Sequence, residues 1–301
     1  MSGPTSNHHA DHACYADSAR QHSVTIRENV QIAKDTFRVR FDCPEIARQI
    51  VPGQFVMLRL TGYGDPLLGR PLALYDTVLT EQGEPIGLDV VYLTVGKLTS
   101  QLASFTAGQK LEIWGPLGNG FAQRPCDHLV MVAGGIGQTP MMALARQAVG
   151  QRRYGQRQQQ QEIAACRVTF CYGARTSAYL AGIEDFVRLG VDVRVSTDDG
   201  SAGHLGLVTE VLAKVLAEQQ KSVASGRLQI VCCGPERMME AVSELAIKSN
   251  VPCQVSLETP MACGIGICFS CVTKVRQPDG AWDYRRTCVE GPIFEAEEIV
   301  W

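Results

Sequence analysis

The residues best suited to do chemistry lie near the C-terminal end of the chain. Cys263, Cys268 and Cys271 follow a C-x4-C-x2-C spacing, and Cys288 comes later. Four thiolates so spaced match a plant-type [2Fe–2S] site, for which the reduction potential is about −400 mV. Gly264 and Gly266, between the first ligands, let the backbone curl so that its N–H groups point at sulfur. A structural zinc site is the competing reading, but four-cysteine zinc sites usually pair two C-x2-C knuckles, and this segment has one.

A second chemistry lies upstream. VMVAGGIGQTPMMALA sets a turn, Gly134, Gly135 and Gly137, between a buried strand and a helix that opens near Thr139 and Pro140. Small residues and free N–H groups at such a junction suit a phosphate, although a glycine turn is often only tight packing. IVCCGPERMMEAV repeats the arrangement, with Cys233, Gly234 and Pro235 at the turn. In an open α/β sheet, ligands bind beyond the carboxyl ends of the strands, so both turns are expected to face one cleft. Cys233 could lie against a nicotinamide ring there, or be one more small buried residue.

A third set is nearer the N-terminus. In GRPLALYDT, Arg70 offers a planar fork suited to phosphate, and Pro71, Leu72 and Ala73 begin a strand that could lie along a flavin. Tyr75 could stack on the ring or simply pack. Further on, Val91, Tyr92 and Leu93 form another strand, and Gly96 and Thr99 mark a turn into a short helix. Together these describe a dinucleotide lying across a barrel.

These residues need elements to place them. From about residue 23 the chain reads as short strands (SVTIRENVQIA, TFRVRFDC, QFVMLRL, PLALYDTVL, GLDVVYLTV, KLEIWGP) broken by Gly, Pro, Asp and Asn, the pattern of an antiparallel barrel or sandwich. After Pro125, apolar runs alternate with amphipathic helical segments, which argues for a parallel sheet covered on both faces. From about Val251 a Cys- and Gly-rich segment takes over. The expected organisation is a disordered arm at 1–22, a β-barrel domain at 23–124, an α/β Rossmann-like domain at 125–250 and a cluster module at 251–301. QRRYGQRQQQQ reads as a flexible surface loop or frayed helix end.

With 301 residues, 45% of them hydrophobic, the chain has material for two ordinary domains and a small appendage. A formal charge of −3 with interspersed signs excludes a nucleic-acid or anionic-membrane surface as the main theme. No apolar run reaches the roughly 18–20 residues needed to cross a bilayer. The polar start lacks the apolar core of a signal peptide, so a cytoplasmic location is expected. His8, His9, His12 and Cys14 could bind a metal there, or belong to an unstructured arm. Of the twelve cysteines, Cys166, Cys171 and Cys232 sit in apolar strand-like runs and read as core.

The combination of R-P-x-[AS], AGGIGxTP, CGP and a terminal C-x4-C-x2-C…C resembles the ferredoxin–NADP reductase superfamily. Within it, ETPMACGIGICFSCVTKV and CVEGPIF resemble the electron-transfer subunits of class 1B dihydroorotate dehydrogenases. The resemblance implies FAD on Arg70, Pro71, Leu72 and Ala73, with alanine for the usual serine, and on Val91, Tyr92 and Leu93. Leu98 and Thr99 match a Gly-Thr pair at the FAD phosphates, with the glycine lost. It implies NAD on the glycine turns and cluster ligation by Cys263, Cys268, Cys271 and Cys288. It further implies an FMN-containing dihydroorotate dehydrogenase catalytic subunit as partner, in a heterotetramer, and a relay of electrons between the two. No general acid or base is expected; Glu258 could stand near the flavin or be a solvated or capping glutamate. Sister readings are a subunit of an NADH-dependent ferredoxin:NADP oxidoreductase or of a sulfhydrogenase, and a non-catalytic flavin and cluster sensor.

Overall fold

The computed structural model describes residues 15–62, 64–122, 124–156, 166–221 and 226–301. Most of the N-terminal arm and the glutamine run therefore lie outside the described residues.

Six strands close a barrel: β1 (Arg20–Ala33), β2 (Thr36–Asp42), β3 (Phe55–Leu60), β4 (Arg70–Leu79), β5 (Pro85–Leu93) and β6 (Lys110–Leu117), in the order β1-β2-β5-β4-β3-β6. All ladders are antiparallel, and β1 pairs with β6 to complete the circle. β1 begins at Arg20, so the last residues of the expected arm are strand. In β2, Val39 and Phe41 turn inward while Arg38 and Arg40 face outward, the period-two pattern of a half-buried strand. A short α1 (Pro44–Ala47), unforeseen in the sequence, places Ile46 and Ala47 in the barrel core. Helix α2 (Lys97–Leu102), the short helix expected after β5, starts just past Gly96 and stops at Leu102.

The second domain is a parallel sheet of β7 (His128–Gly134), β8 (Arg167–Ala174), β9 (Asp192–Thr197), β10 (His204–Leu205) and β11 (Leu228–Cys233). Every residue of β7 is buried, as a strand covered on both faces requires. The helices are α3 (Met141–Ala148), α4 (Ile183–Arg188), α5 (Val208–Lys221) and α6 (Glu236–Lys248). They shield two apolar clusters, one per face of the sheet.

The structure differs from the sequence reading at the boundary near residue 250. β12 (Cys253–Ser256) pairs parallel with β11, and β15 (Ile293–Glu295) pairs antiparallel with β12, so the last segment finishes the nucleotide-domain sheet in the order β10-β9-β8-β7-β11-β12-β15. CQVS is short and half polar, so its pattern is hidden, yet all four residues are buried. Between these two strands the chain makes the cysteine loop and a hairpin of β13 (Val272–Arg276) and β14 (Trp282–Arg286).

Barrel and sheet are clasped together. Asp76 on β4 takes ion pairs from Arg146 of α3 and Arg152, each at 2.7 Å, and a hydrogen bond donated by the Tyr154 hydroxyl at 2.7 Å. The start of the supposed flexible loop is thus anchored, because Arg152 and Tyr154 lie on the barrel; residues 157–165 lie outside the described ones. Tyr75 donates to Asp185 of α4 at 2.9 Å, so its ring packs between domains and is not free to stack.

Candidate flavin, nucleotide and iron–sulfur sites

The cysteine loop rests on the barrel wall. The Trp114 indole N–H on β6 donates to the Cys263 carbonyl at 2.9 Å. Gly264 adopts φ +73°, and a Cβ there would meet Met57 of β3 at 2.6 Å, so both the left-handed conformation and the close approach demand glycine. Phe55, Met57, Leu117, Met261, Cys271, Cys288 and Val289 form a small apolar cluster at this junction.

The four sulfurs fall into two pairs. Cys271 and Cys288 lie 3.2 Å apart, and Cys263 and Cys268 contact each other. Among the described residues, no three of the four gather within 4.8 Å of one another. One tetrahedral zinc would draw all four to about 3.8 Å of each other, given Zn–S bonds of about 2.3 Å; two pairs suit two irons. The Ile265 N–H points at the Cys263 sulfur from 3.4 Å, and the Ser270 hydroxyl meets Cys268 at 3.2 Å. Hydrogen bonds from Ser270 hold the Cys268 thiol down to about 6, and the contact with Cys288 does the same for Cys271, while Cys288 is pushed up by the same neighbour. Metal ligands must be thiolates, and the lowering at Cys268 suits it to that role.

The strand Arg70–Ala73 lies one ladder from this loop: Pro71 pairs with Met57 and Ala73 with Phe55. The Arg70 guanidinium is exposed and donates to the carbonyls of Leu68 and Gly69 at 3.2 and 3.0 Å. Pro71 and Ala73 are half-buried and Leu72 buried. On β5, Val91 and Tyr92 are buried; the Tyr92 hydroxyl donates to Asn29 at 3.0 Å and its ring stacks on Phe37. Any contact from Tyr92 to a ligand is therefore through its main chain. Leu98 fills the barrel core. The Thr99 hydroxyl accepts the N–H groups of Val95 and Gly96 at 3.1 and 3.2 Å, tying the start of α2.

A cavity of about 680 Å³ opens between the barrel and the sheet. Thr36, Leu93, Thr94 and Val95 wall it on the barrel side; Gly134, Gly135, Gly234 and Pro235 wall it at the carboxyl ends of β7 and β11. Both glycine turns do face one cleft. Gly137 and Cys233 stand behind it: a Cβ on Gly137 would meet the Cys233 carbonyl at 2.2 Å, which is the tight-packing use of glycine. The Cys233 thiol is 2% exposed, joins the apolar core, and is pushed up by burial and by Glu258. Thr139 spends its hydroxyl on the Ile136 carbonyl at 2.6 Å, and Pro140 caps α3 after a 3-10 turn at Gly135–Gln138.

Gln138, Arg175 and Arg237, to which no sequence pattern points, line the cavity beside Asp198. Gln138 is fully buried and neither end of its amide finds a hydrogen-bond partner, an orphan at a cavity wall that a polar ligand would satisfy. Asp198 faces the cavity, while the neighbouring Asp199 is held by Ser201 at 2.6 Å. Glu258 is open to the cavity yet packed round by protein, and that loss of water raises its carboxyl. The residues fit a dinucleotide: two guanidiniums for phosphate, an acid for ribose and apolar walls for a ring.

A closed six-stranded barrel, a parallel sheet with a shared cleft and a paired-cysteine loop against the barrel define an NAD-dependent flavin and iron–sulfur oxidoreductase. Comparisons with known proteins agree. Residues 23–121 match the oxidoreductase FAD-binding domain, 131–244 the oxidoreductase NAD-binding domain, and 258–300 the iron–sulfur cluster binding domain of dihydroorotate dehydrogenase B. The dihydroorotate dehydrogenase B (NAD(+)) electron transfer subunit of Desulforamulus reducens is 34% identical over 90% of this chain and 94% of its own. That of Caldanaerobacter subterraneus is 34% identical over 92% and 97%. The structure of an NADH-dependent reduced ferredoxin–NADP oxidoreductase, studied for flavin-based electron bifurcation, superposes with a TM-score of 0.73 and 29% identity, over 92% of this chain and 90% of that one. The chain belongs to the family of dihydroorotate dehydrogenase B electron transfer subunits. No helix among the described residues is long and apolar enough to cross a membrane.

Proposed function

We propose that this chain relays electrons between NAD and the FMN of a separate dihydroorotate dehydrogenase catalytic subunit, with net flow from dihydroorotate to NAD in pyrimidine synthesis. The observation that carries the relay is the placing of Arg70–Ala73 one ladder from the cysteine loop, with the dinucleotide cavity on the barrel's other flank. When bound, FAD exchanges electron pairs with nicotinamide and single electrons with the cluster.

The chain's own residues bind and position. Cys263, Cys268, Cys271 and Cys288 would hold the cluster, which would supply one-electron transfer. Arg70 would bind an FAD phosphate, Pro71–Ala73 and Val91–Leu93 would offer main chain to the flavin, and Leu98 and Thr99, beside Gly96, would do so for the pyrophosphate. Gly134, Gly135, Gly234 and Pro235 admit NAD, Arg175 and Arg237 draw its phosphates, and Asp198 accepts a ribose hydroxyl. Gly137, Thr139, Pro140 and Cys233 shape that wall from behind. Glu258 keeps the nicotinamide end of the cavity polar without moving a proton to substrate.

The partner reading rests on the names of the relatives. Co-expression with an FMN-containing catalytic subunit tests it: dihydroorotate-dependent reduction of NAD should need both chains. The likeness to the ferredoxin–NADP oxidoreductase supports a second reading, in which reduced ferredoxin with NADH takes the place of dihydroorotate. Activity with ferredoxin and none with dihydroorotate would favour it.

A further inference from the structure

Among the described residues, one group of metal-ligating side chains converges away from the cavity and the cysteine loop. His22 on β1, Cys43 just before α1 and Glu45 within α1 bring a ring nitrogen, a thiol sulfur and a carboxylate oxygen within 4.8 Å of one another. The Cys43 sulfur stands 3.8 Å from Glu45 Oε2. Nε2 of His22 is shut off from solvent and has no hydrogen-bond partner. Leaving such a nitrogen unpaired costs stability, and a bound cation gives it a partner.

We propose that His22, Cys43 and Glu45 form a second metal site, for a zinc-class cation, at the corner where β1 meets α1. Ligand bonds of about 2.0–2.3 Å around a tetrahedral ion put neighbouring donor atoms about 3.3–3.8 Å apart. The sulfur–oxygen separation already meets this, and the rest of the trio needs closure by no more than about 1 Å. Nitrogen, sulfur and oxygen donors together suit zinc; calcium and magnesium take oxygen alone. Charges also balance, because one thiolate and one carboxylate neutralise a divalent ion beside a neutral imidazole. Burial pushes the Cys43 thiol up to about 11, so it is protonated without metal, and binding releases that proton. Three protein ligands leave a fourth position to water. The ion would pin the start of the chain's first strand to the helix that closes the barrel.

The test uses the full chain loaded with FAD and cluster, equilibrated anaerobically with Zn²⁺, desalted and assayed for metal, with ¹¹³Cd NMR on a parallel sample. One zinc per chain should be retained beyond the iron. Cys43→Ser and the surface-compatible His22→Gln and Glu45→Gln should weaken it by about tenfold or more, with iron and flavin contents unchanged. The cadmium resonance should report a single thiolate and vanish in Cys43→Ser. Equal uptake by all variants, as from His8, His9 and His12, would overturn the proposal. So would a four-thiolate resonance from displaced cluster iron, or no uptake at all.

Discussion

Glu258 shows how one residue's surroundings set its behaviour. Protein atoms packed round it at the cavity wall, though the side chain stays open to the cavity, raise its pKa above the ordinary 4.5, so the folded state holds the proton more tightly than the unfolded chain does. Ionising it therefore costs stability, and the cost appears as pH rises through and above the unfolded value. Glu258→Gln is expected to melt higher than the parent at pH 7 to 8, with the difference shrinking to nothing below about pH 4. Melting of the FAD-loaded pair across that range checks it; a constant gap at all pH values would deny the raised pKa. The cysteines were the most legible residues, because thiolate spacing is dictated by the cluster and not by the fold. Gln138 was not, since neither type nor spacing reveals that a side chain borders a cavity built by two domains.

Among the elements, the strands of the barrel and of β7, β8 and β11 were readable from period and apolar runs, because burial on one face or two imposes those patterns. α1 and β12 were not: four residues carry too little periodicity, and β12 acquires its burial only by pairing with β11 and β15. Element joints carry two predictions. Asp76 is the carboxylate shared by Arg146, Arg152 and the Tyr154 hydroxyl, so Asp76→Ala leaves two part-buried guanidiniums without it, although Arg152 keeps its bond to the Thr77 carbonyl. It should cost about 3 kcal/mol in denaturant unfolding, and NADH-dependent flavin reduction should slow as the two domains lose register. Thr99→Val frees two N–H groups at the start of α2 and should cost about 1 kcal/mol while loosening FAD, measured by flavin release on dilution. Unchanged stability in either variant would remove that joint from the account.

At the scale of the whole molecule, the chain order is a wiring order. The last segment leaves the nucleotide sheet after β12, carries the cysteines to the barrel wall beside β3 and β6, and returns as β15. The cluster loop is thereby held from both ends by the domain that binds NAD and rests on the domain that binds FAD. Trp114 and Cys263 meet across the length of the intervening chain, a contact no local pattern announces. This arrangement sets the barrel between the cavity and the cysteines. An anaerobic NADH titration of the purified protein, followed by absorbance and electron paramagnetic resonance, tests that route most directly. The account predicts loss of the oxidised flavin band together with the signal of a reduced [2Fe–2S] cluster. Flavin reduction with an intact, silent cluster, or a protein that carries no flavin, would contradict it.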